Sequence, residues 1–273
     1  MPELPEIETI RLQLQKVLVG HKLLHVQINN PKTVQGKLDE LEGKEVQGIR
    51  RLGKVLLIDF GPKLALGFHF KMTGQLIYDD GKKRIAGGHP SADFVAKLPN
   101  SHTRVIFEFD KGKLFYNDQR MFGWIQINPK FVDSLGPEPF NILPSEFAQR
   151  INKSKRPIKI SLMDQEIISG VGNIYANDAL WEARINPGVS SNQLSVDKLT
   201  FLFEKIKMVL AEGIKYGGAT ADNYVNLHGL GGHYQEHFRT YNKEGEPCLR
   251  CGTPIKKIVL GGRGTFYCPK CQK

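Results

Sequence analysis

The sequence predicts an α+β protein in which a β-rich part precedes a helical part and a small cysteine-rich module. Short runs of β-branched and aromatic residues fill the segment from about residue 21 to residue 127, which indicates several strands. Helical spacing of apolar residues dominates after residue 144, and four cysteines lie between residues 248 and 271. A chain of 273 residues is long enough to form two domains with separate cores.

The first predicted element is a helix over residues 3–20. Pro5 suits the first helical turn, early glutamates favour the positive end of the helix dipole, and Gly20 can end the helix. Apolar residues at helical spacing predict one buried face: Ile7, Ile10, Leu14, Val17 and Leu18. Glu3 and Glu6 either cap this helix or carry chemistry, and the residues alone leave both interpretations open.

The strand-like region contains six short runs: KLLHVQI, VLLIDF, LALGFHF, VIFEF, KLFYN and WIQI. The tetrapeptide at residues 110–113, Asp-Lys-Gly-Lys, is typical of a hairpin turn. Several strands of this kind favour a β-sandwich or a barrel. Residues 79–103 are predicted to form one long polar loop.

Domain boundaries follow from composition. Residues 128–144 contain four prolines with little periodicity, so they are predicted to be a linker. Helical patterns follow in SEFAQRIN, LMDQEII, YANDALWEARI and VDKLTFLFEKIKMVLAEGIKYG. We therefore expect a β-sandwich domain at 1–127, the linker at 128–144, a helical domain at 145–240 and a cysteine module at 241–273.

The charge balance favours a polyanionic partner. Lys and Arg number 38 and Asp and Glu number 28, so the formal net charge is +10. Such a charge promotes binding to polyanions through counterion release, although a basic protein without such a partner is the alternative. The chain start has neither a long apolar run nor a basic region, so we expect a cytoplasmic protein without a membrane partner.

The four cysteines predict one structural zinc ion. The spacing Cys248-x2-Cys251-x16-Cys268-x2-Cys271 lets two CxxC turns complete a tetrahedral site that leaves no open coordination position. A pair of disulfides and four free thiols are the alternatives; a reducing compartment disfavours the disulfides, and the specific spacing favours zinc. The residues between the two turns predict a two-stranded hairpin with GGRG at its tip. This hairpin would direct Arg263 outwards, unless Arg263 is simply a solvated turn residue.

A second motif, ISGVGNIYANDALWEARI, occupies residues 168–185. A Gly-Val-Gly turn leads into Asn173 and then into a predicted helix. Asn173 can act as a cap, and the backbone N–H groups at a helix start can bind an anion such as phosphate. An ordinary helix hairpin is the alternative.

Three motifs together resemble the bacterial formamidopyrimidine-DNA glycosylases, a family that also includes endonuclease VIII. They are the opening PELPE, the SGVGNIYA segment and the terminal GEPCLRCG…GRGTFYCPKCQ, in the family's order and across essentially the whole chain. The resemblance implies an N-terminal β-sandwich with a leading helix. A helix-two-turns-helix domain with a C-terminal β-hairpin zinc finger would follow.

The resemblance also implies that Pro2 is a nucleophile once Met1 has been removed. An α-amino group has a reference pKa of about 7.7–8.0, so part of it is neutral near physiological pH. Its attack on the sugar C1′ would form an iminium ion, which permits strand cleavage by elimination after base release. Glu3 would move protons and Glu6 would position the sugar, without a redox or organic cofactor.

Further residues are implied to bind DNA phosphates beside the lesion: Lys54, His69, Asn173 and Arg263. Lys54 and Arg263 join Pro2, Glu3 and Glu6 in the implied catalytic set. Without the resemblance, Lys54 would be interpreted as a surface lysine and His69 as a paired core histidine.

Three residues are implied to fill the gap left by an extruded nucleotide: Met72, Arg120 and Phe122. Core packing is the ordinary alternative for the methionine and the phenylalanine. Lys159 is implied to lie near the extruded base. The glycine-rich segment 217–234 occupies the position of the family's lesion-recognition loop. One departure is Met121, where the family often has a second basic residue.

The implied function is base-excision repair by a monomer on double-stranded DNA that contains an oxidised base or an abasic site. The enzyme would remove oxidised purines such as 8-oxoguanine and formamidopyrimidines and would cleave the abasic site. Two alternatives are an endonuclease VIII-like glycosylase for oxidised pyrimidines and a catalytically silent DNA-binding protein. Leu4 and the intact finger favour the first function, and Pro2, Glu3 and Lys54 argue against a silent protein.

Overall fold

The computed structural model describes residues 1–220 and 231–273. It divides into two compact units, Met1–Asp133 with Ile214–Gln235, and Ser134–Gly213 with Glu236–Lys273. The first unit is mainly β-structure and the second is mainly helical, which confirms the α+β class. In the described part of the chain, no helix has the length and apolar content that crossing a membrane requires.

Two five-stranded sheets form the first unit. One sheet has the order β1-β8-β9-β6-β7, with β1 (Leu23–Ile28), β6 (Gly74–Asp79), β7 (Arg84–Gly88), β8 (Thr103–Phe109) and β9 (Lys113–Asp118). The other has the order β2-β10-β5-β4-β3, with β2 (Val34–Gln35), β3 (Gly48–Leu52), β4 (Val55–Gly61), β5 (Leu64–His69) and β10 (Trp124–Ile127). Apolar side chains of both sheets form one shared core, so the predicted β-sandwich is confirmed.

The leading helix α1 spans Leu4–Leu18, within the predicted range. It contacts β3 and β7, which are edge strands of the two different sheets. Its apolar face, predicted from the spacing of Ile7, Ile10 and Leu14, is fully buried in the shared core. The helix therefore packs against both sheets of the sandwich.

One expectation about the β-region was wrong. Residues 79–103 do not form a single polar loop, because β7 lies inside this segment and pairs antiparallel with β6. The short sequence Arg-Ile-Ala-Gly-Gly carries little strand signal. Its glycines are needed for close approach: a Cβ on Gly87 would lie 2.6 Å from Ile10 of α1.

Helices build most of the second unit. They are α2 (Pro144–Asn152), α3 (Ile158–Met163), α4 (Asn173–Glu182) and α5 (Val196–Lys215), and the last residues of α5 are counted with the first unit. The cysteine module contributes a hairpin of β11 (Lys256–Leu260) and β12 (Arg263–Tyr267). Leu260 pairs with Arg263, so Gly261 and Gly262 form a two-residue turn with φ of +55° and +71°. Only glycine adopts two successive positive φ values readily, which confirms the predicted hairpin tip.

Candidate functional site

The N-terminal residues that the sequence singled out are buried against α1. Pro2 is buried and Glu3 is 2% exposed. Glu3 is the N-cap of α1 in extended backbone, and it forms a capping box with Glu6. The Glu6 carboxylate accepts a hydrogen bond from the Glu3 N–H at 2.7 Å. The helix start thus fixes the backbone of Glu3, the residue next to Pro2, through the Glu6 carboxylate.

Glu6 also binds the segment that follows α5. Its second carboxylate oxygen accepts a hydrogen bond from the Ala219 N–H at 2.9 Å. Gly218 lies against it with φ +84°, and a Cβ at this position would be 2.8 Å from the Glu6 Cγ. Glu6 therefore acts as a connection between the helix start and residues 218–219, in addition to its place in the capping box.

Those residues form one end of the glycine-rich segment 217–234. Hydrogen bonds join its two ends: the Gly232 N–H donates to the Thr220 hydroxyl at 2.9 Å, and the Thr220 N–H donates to the Gln235 side chain at 2.7 Å. The middle of the expected lesion-recognition loop, residues 221–230, lies outside the described residues. The described residues on either side of this stretch are therefore bonded to each other, and Ala219 is bonded to Glu6.

Lys54 and His69 lie close together on the second sheet. Lys54 follows Gly53 in the two-residue turn between β3 and β4, and His69 is the last residue of β5, paired with Val55. Lys54 is 5% exposed and His69 is 6% exposed. The interpretation of Lys54 as an ordinary surface lysine is therefore inconsistent with its burial.

His69 is electrically neutral at physiological pH. Burial, followed by the nearby positive charges of Lys71 and Lys54, lowers the pKa of His69 to about 3. The Lys71 N–H donates to the His69 Nδ1 at 3.1 Å, so the ring proton of the neutral imidazole belongs on Nε2. A neutral histidine with Nε2–H can donate one hydrogen bond to a phosphate oxygen.

The expected gap-filling residues lie on two turns of the first unit. Met72 is half-buried in the turn between β5 and β6, and Arg120 and Phe122 are exposed in the segment between β9 and β10. Phe122 is 53% exposed, and the Arg120 guanidinium lies 4.6 Å from its ring centroid. Met121 between them adopts φ +54°, which turns the backbone so that Arg120 and Phe122 can stack. Exposure of Phe122 is inconsistent with a role in core packing.

Asn173 begins α4, but Gly172 is the N-cap, so the expected capping role of Asn173 is not observed. Asn177, one turn later on the same face, donates to the Asn173 carbonyl at 2.6 Å. Its side-chain oxygen accepts a hydrogen bond from the Phe266 N–H in β12 at 2.8 Å. Sequence reasoning missed Asn177, although a polar residue between the apolar residues of the predicted helix YANDALWEARI was a usable signal.

Lys159 lies under the finger hairpin. It is 0% exposed, and its ammonium donates to the Gly264 carbonyl at 2.9 Å and to the Thr265 hydroxyl at 2.7 Å. The Thr265 hydroxyl in turn donates to the Arg263 carbonyl at 3.1 Å. This position supports a role for Lys159 in holding the strand that carries exposed Arg263, and its expected contact with an extruded base stays a prediction.

The four cysteines form one cluster, with all sulfur atoms within 4.8 Å of one another. Cys251 and Cys268 are 3.5 Å apart, far beyond the S–S bond length of about 2.05 Å, and all four are free thiols. Four thiolates at about 2.3 Å from a central ion satisfy tetrahedral zinc. The cysteines therefore fit one structural zinc ion.

The helical part holds the finger through a second set of contacts. Asp178 on α4 is fully buried and accepts backbone hydrogen bonds from Arg239, Thr240 and Tyr241. Burial raises the pKa of Asp178 to about 6, although these hydrogen bonds favour its ionised form. The neighbouring Trp181 donates to the Cys248 sulfur at 3.4 Å. The metal cluster is thereby joined to α4 by direct contacts.

Three family models match successive parts of the chain. The formamidopyrimidine-DNA glycosylase N-terminal domain matches residues 1–125. The formamidopyrimidine-DNA glycosylase H2TH domain matches residues 135–224, and the zinc finger found in FPG and IleRS matches residues 245–273. These ranges contain the three motifs and every individual candidate residue that the sequence analysis named.

Relatives and solved structures agree with the family models over the full length. The formamidopyrimidine-DNA glycosylases of Listeria innocua and Herpetosiphon aurantiacus are 37% and 38% identical, and each alignment covers 100% of both chains. A Lactococcus lactis FPG mutant in complex with Fapy-dG containing DNA has a TM-score of 0.87 and 34% identity, with 100% of both chains covered. Lactococcus lactis Fpg with abasic-site DNA has a TM-score of 0.86 and 33% identity over 99% of each chain. This chain therefore belongs to the formamidopyrimidine-DNA glycosylase family.

Proposed function

We propose that this protein is a base-excision-repair DNA glycosylase with abasic-site lyase activity, acting as a monomer on double-stranded DNA. The observation that carries the proposal is the match to the family over the full length of the chain. The buried Pro2 and Glu3 at the start of α1 are consistent with it. DNA as substrate implies action at the chromosome, which in a bacterium lies in the cytoplasm. The net charge of +10 suits a polyanionic substrate.

The proposed reaction begins at Pro2 after removal of Met1. The secondary amine attacks the sugar C1′ of the extruded nucleotide, a C–N bond forms, and the bond from C1′ to the base breaks. The sugar ring opens and an iminium ion remains between Pro2 and C1′. The proton that the Pro2 nitrogen loses and one proton from Glu3 go to the ring oxygen O4′ and to the leaving base, so the ring opens to a hydroxyl and the base leaves in its neutral form. Glu6 holds the adjacent backbone through its bonds to Glu3 and Ala219.

The lyase step uses the same iminium ion. Its positive charge acidifies the C2′ proton, and loss of that proton expels the 3′ phosphate by β-elimination. A second elimination expels the 5′ phosphate, and water then releases the sugar fragment and regenerates Pro2. Phosphates beside the lesion would be bound by Lys54 and by neutral His69 in the first unit. Asn173 and Arg263 would have the same role in the second unit.

Oxidised purines are the proposed main substrates. The solved structure of the Lactococcus lactis FPG mutant holds Fapy-dG containing DNA, which supports a formamidopyrimidine for this chain. Another Lactococcus lactis FPG structure holds an oxidised pyrimidine containing DNA, at 33% identity and a TM-score of 0.86. We therefore include an oxidised pyrimidine as a second substrate class.

Borohydride trapping tests this function. The protein, with removal of Met1 verified by intact mass, is incubated with three duplexes that carry 8-oxoguanine, an oxidised pyrimidine or an abasic site. Reduction of the iminium ion should fix a covalent protein–DNA adduct on the 8-oxoguanine and abasic duplexes, and a smaller amount on the oxidised-pyrimidine duplex. Pro2→Gly should lose most adduct and nicking at the abasic site, and Glu3→Gln should lose base excision more than DNA binding.

The outcomes separate the possible functions. Adducts only on the pyrimidine and abasic duplexes would indicate an endonuclease VIII-like enzyme. Tight binding of all three duplexes with no adduct would indicate a silent binding protein. Undiminished trapping by Pro2→Gly would show that the secondary amine of Pro2 is not required, while leaving the glycosylase activity in place.

A further inference from the structure

Asp118, the last residue of β9, is a fully buried carboxylate with no place in the proposed reaction. Its Oδ1 accepts a hydrogen bond from the Thr73 hydroxyl at 2.5 Å, and its Oδ2 accepts one from the Gly123 N–H at 2.8 Å. A buried carboxylate is costly unless such donors satisfy it, and hydrogen bonds to a charged acceptor are stronger than neutral ones. The two bonds therefore hold Thr73 and Gly123 on either side of one charged group.

Thr73 connects Asp118 to both turns that carry the expected gap-filling residues. It directly follows Met72 in the turn between β5 and β6. Its hydroxyl oxygen also accepts a hydrogen bond from the Arg120 N–H at 3.0 Å. A single threonine hydroxyl thus joins the Met72 turn, the Asp118 carboxylate and the backbone of Arg120.

Gly123 ends the second turn, directly after Phe122. A side chain at this position would collide with the Tyr116 hydroxyl, and its Cβ would lie 2.8 Å from the His69 carbonyl oxygen. The backbone can approach Asp118 only because this residue is glycine. Residues 120–123 are consequently attached at both ends, through Arg120 to Thr73 and through Gly123 to Asp118.

We propose that Asp118, acting through Thr73, is a positioning residue that aligns Met72, Arg120 and Phe122 for insertion into the DNA gap. This inference rests on the proposed function, because it assigns a role within nucleotide extrusion. Phe122 is 53% exposed and can hold an insertion-ready position only if its backbone is fixed. Asp118 fixes that backbone from within the unit without contacting DNA.

The test compares two substrates in single-turnover reactions. Asp118→Ala should slow excision of 8-oxoguanine from duplex DNA by about tenfold or more, because it removes the acceptor of both the Thr73 and the Gly123 hydrogen bonds. It should slow nicking at a preformed abasic site much less, because no base has to be extruded there. Asp118→Asn should rescue much of the excision, since its amide oxygen can accept from Gly123 while its NH₂ donates to Thr73.

Three further variants keep the test decisive if Asp118→Ala folds poorly. Thr73→Val removes the connecting hydroxyl with little change of shape and should give the same selective loss, and Thr73→Ser should restore activity. The double variant Phe122→Ala/Thr73→Val should lose little more excision activity than the more impaired of the two single variants. Both changes affect the same insertion step, so their effects should not add. The matched control is Asp93→Ala, since Asp93 is a carboxylate of the same unit that binds Asn100, His102 and Asn117.

Asp93→Ala should lower the melting temperature, and it should affect excision of 8-oxoguanine and nicking at the abasic site equally. Equal losses on both DNAs for Thr73→Val and Asp118→Ala, or additive losses with Phe122→Ala, would overturn the positioning role and leave the glycosylase function intact. Absence of excision by the wild-type protein on every lesion duplex would overturn the proposed function and this inference with it.

Discussion

The side-chain oxygen of Asn177 accepts a hydrogen bond from the Phe266 N–H at 2.8 Å, which joins helix α4 to strand β12 of the finger hairpin. The same side chain donates to the Asn173 carbonyl at 2.6 Å. One amide thus connects the helix start that carries Asn173 to the hairpin that carries Arg263. Because of this connection, the position of Asn173 relative to Arg263 depends on Asn177. Both of these residues are proposed to bind phosphate.

Asn177→Leu should weaken binding to lesion DNA while the zinc ion is retained. The leucine fits the helix but leaves the Phe266 N–H without an acceptor, which costs about 1–3 kcal/mol for a buried group. We expect roughly a tenfold rise in the Kd for abasic-site DNA, measured by fluorescence anisotropy. Asn152→Leu, at an exposed position of α2, is the control. An unchanged Kd for Asn177→Leu would show that the finger is positioned without this bond.

Removal of zinc should unfold the finger and spare the sandwich. The four thiolates hold two CxxC turns that lack a large core of their own, so the metal contributes their folding free energy. A chelator, or Cys268→Ser, should weaken DNA binding and increase proteolysis within about residues 245–271. Fragment mass spectrometry would locate the cleavage. Normal binding by verified metal-free protein would contradict a structural role for zinc.

His69 should make stability fall as pH decreases. Its pKa of about 3 in the folded protein lies below the ordinary value of 6.5, so the unfolded chain binds more protons between these two values. The contribution of His69 to the free energy of unfolding is fully present above about pH 6.5. It declines by up to about 1.4 kcal/mol per pH unit as the pH falls towards 3. His69→Gln should flatten urea-unfolding free energies over this range. An identical pH slope in both proteins would show that His69 is not buried in its neutral form.

Met72→Ala should impair excision of 8-oxoguanine from duplex DNA much more than nicking at a preformed abasic site. An extruded nucleotide leaves an unstacked step that costs a few kcal/mol unless a side chain replaces the lost contacts. Met72 is half-buried, so the melting temperature should fall little, whereas a fully buried methionine loses about 2–5 kcal/mol on truncation. A large fall in melting temperature with equal losses on both DNAs would identify Met72 as a core residue.

Glu6→Gln should weaken the connection between α1 and residues 218–219. Both Glu6 oxygens accept from backbone N–H groups, of Glu3 and of Ala219, so an amide must direct its NH₂ at one of these donors. We expect about 1–3 kcal/mol of destabilisation and faster hydrogen exchange at Ala219. Exposed Glu45→Gln serves as the control. Unchanged exchange at Ala219 would show that this contact is not significant in solution.

Much of the fold and the metal site could be predicted because their signals are local. The CxxC spacing identified all four ligands, and Gly261 with Gly262 identified the hairpin tip, since each feature depends on residues a few positions apart. The spacing of Ile7, Ile10 and Leu14 likewise predicted the buried face of α1, because helical periodicity is written directly in the sequence. Strand β7 escaped prediction because two of its five residues are glycines, which have no strand preference, and Gly87 is required for close approach to Ile10.

The amino-acid sequence by itself determined the class of fold, the zinc ligands and the resemblance that named Pro2 and the DNA-contacting candidates. Only the tertiary structure decided what positions those candidates. Thr73 meets Asp118 45 residues away, Glu6 meets Ala219 213 residues away, and Asn177 meets Phe266 89 residues away. Each of these is a hydrogen bond between distant segments. No periodic pattern in the sequence indicates which donor pairs with which acceptor. Their pairing exists because the folded core brings the segments together and a buried polar group requires a partner.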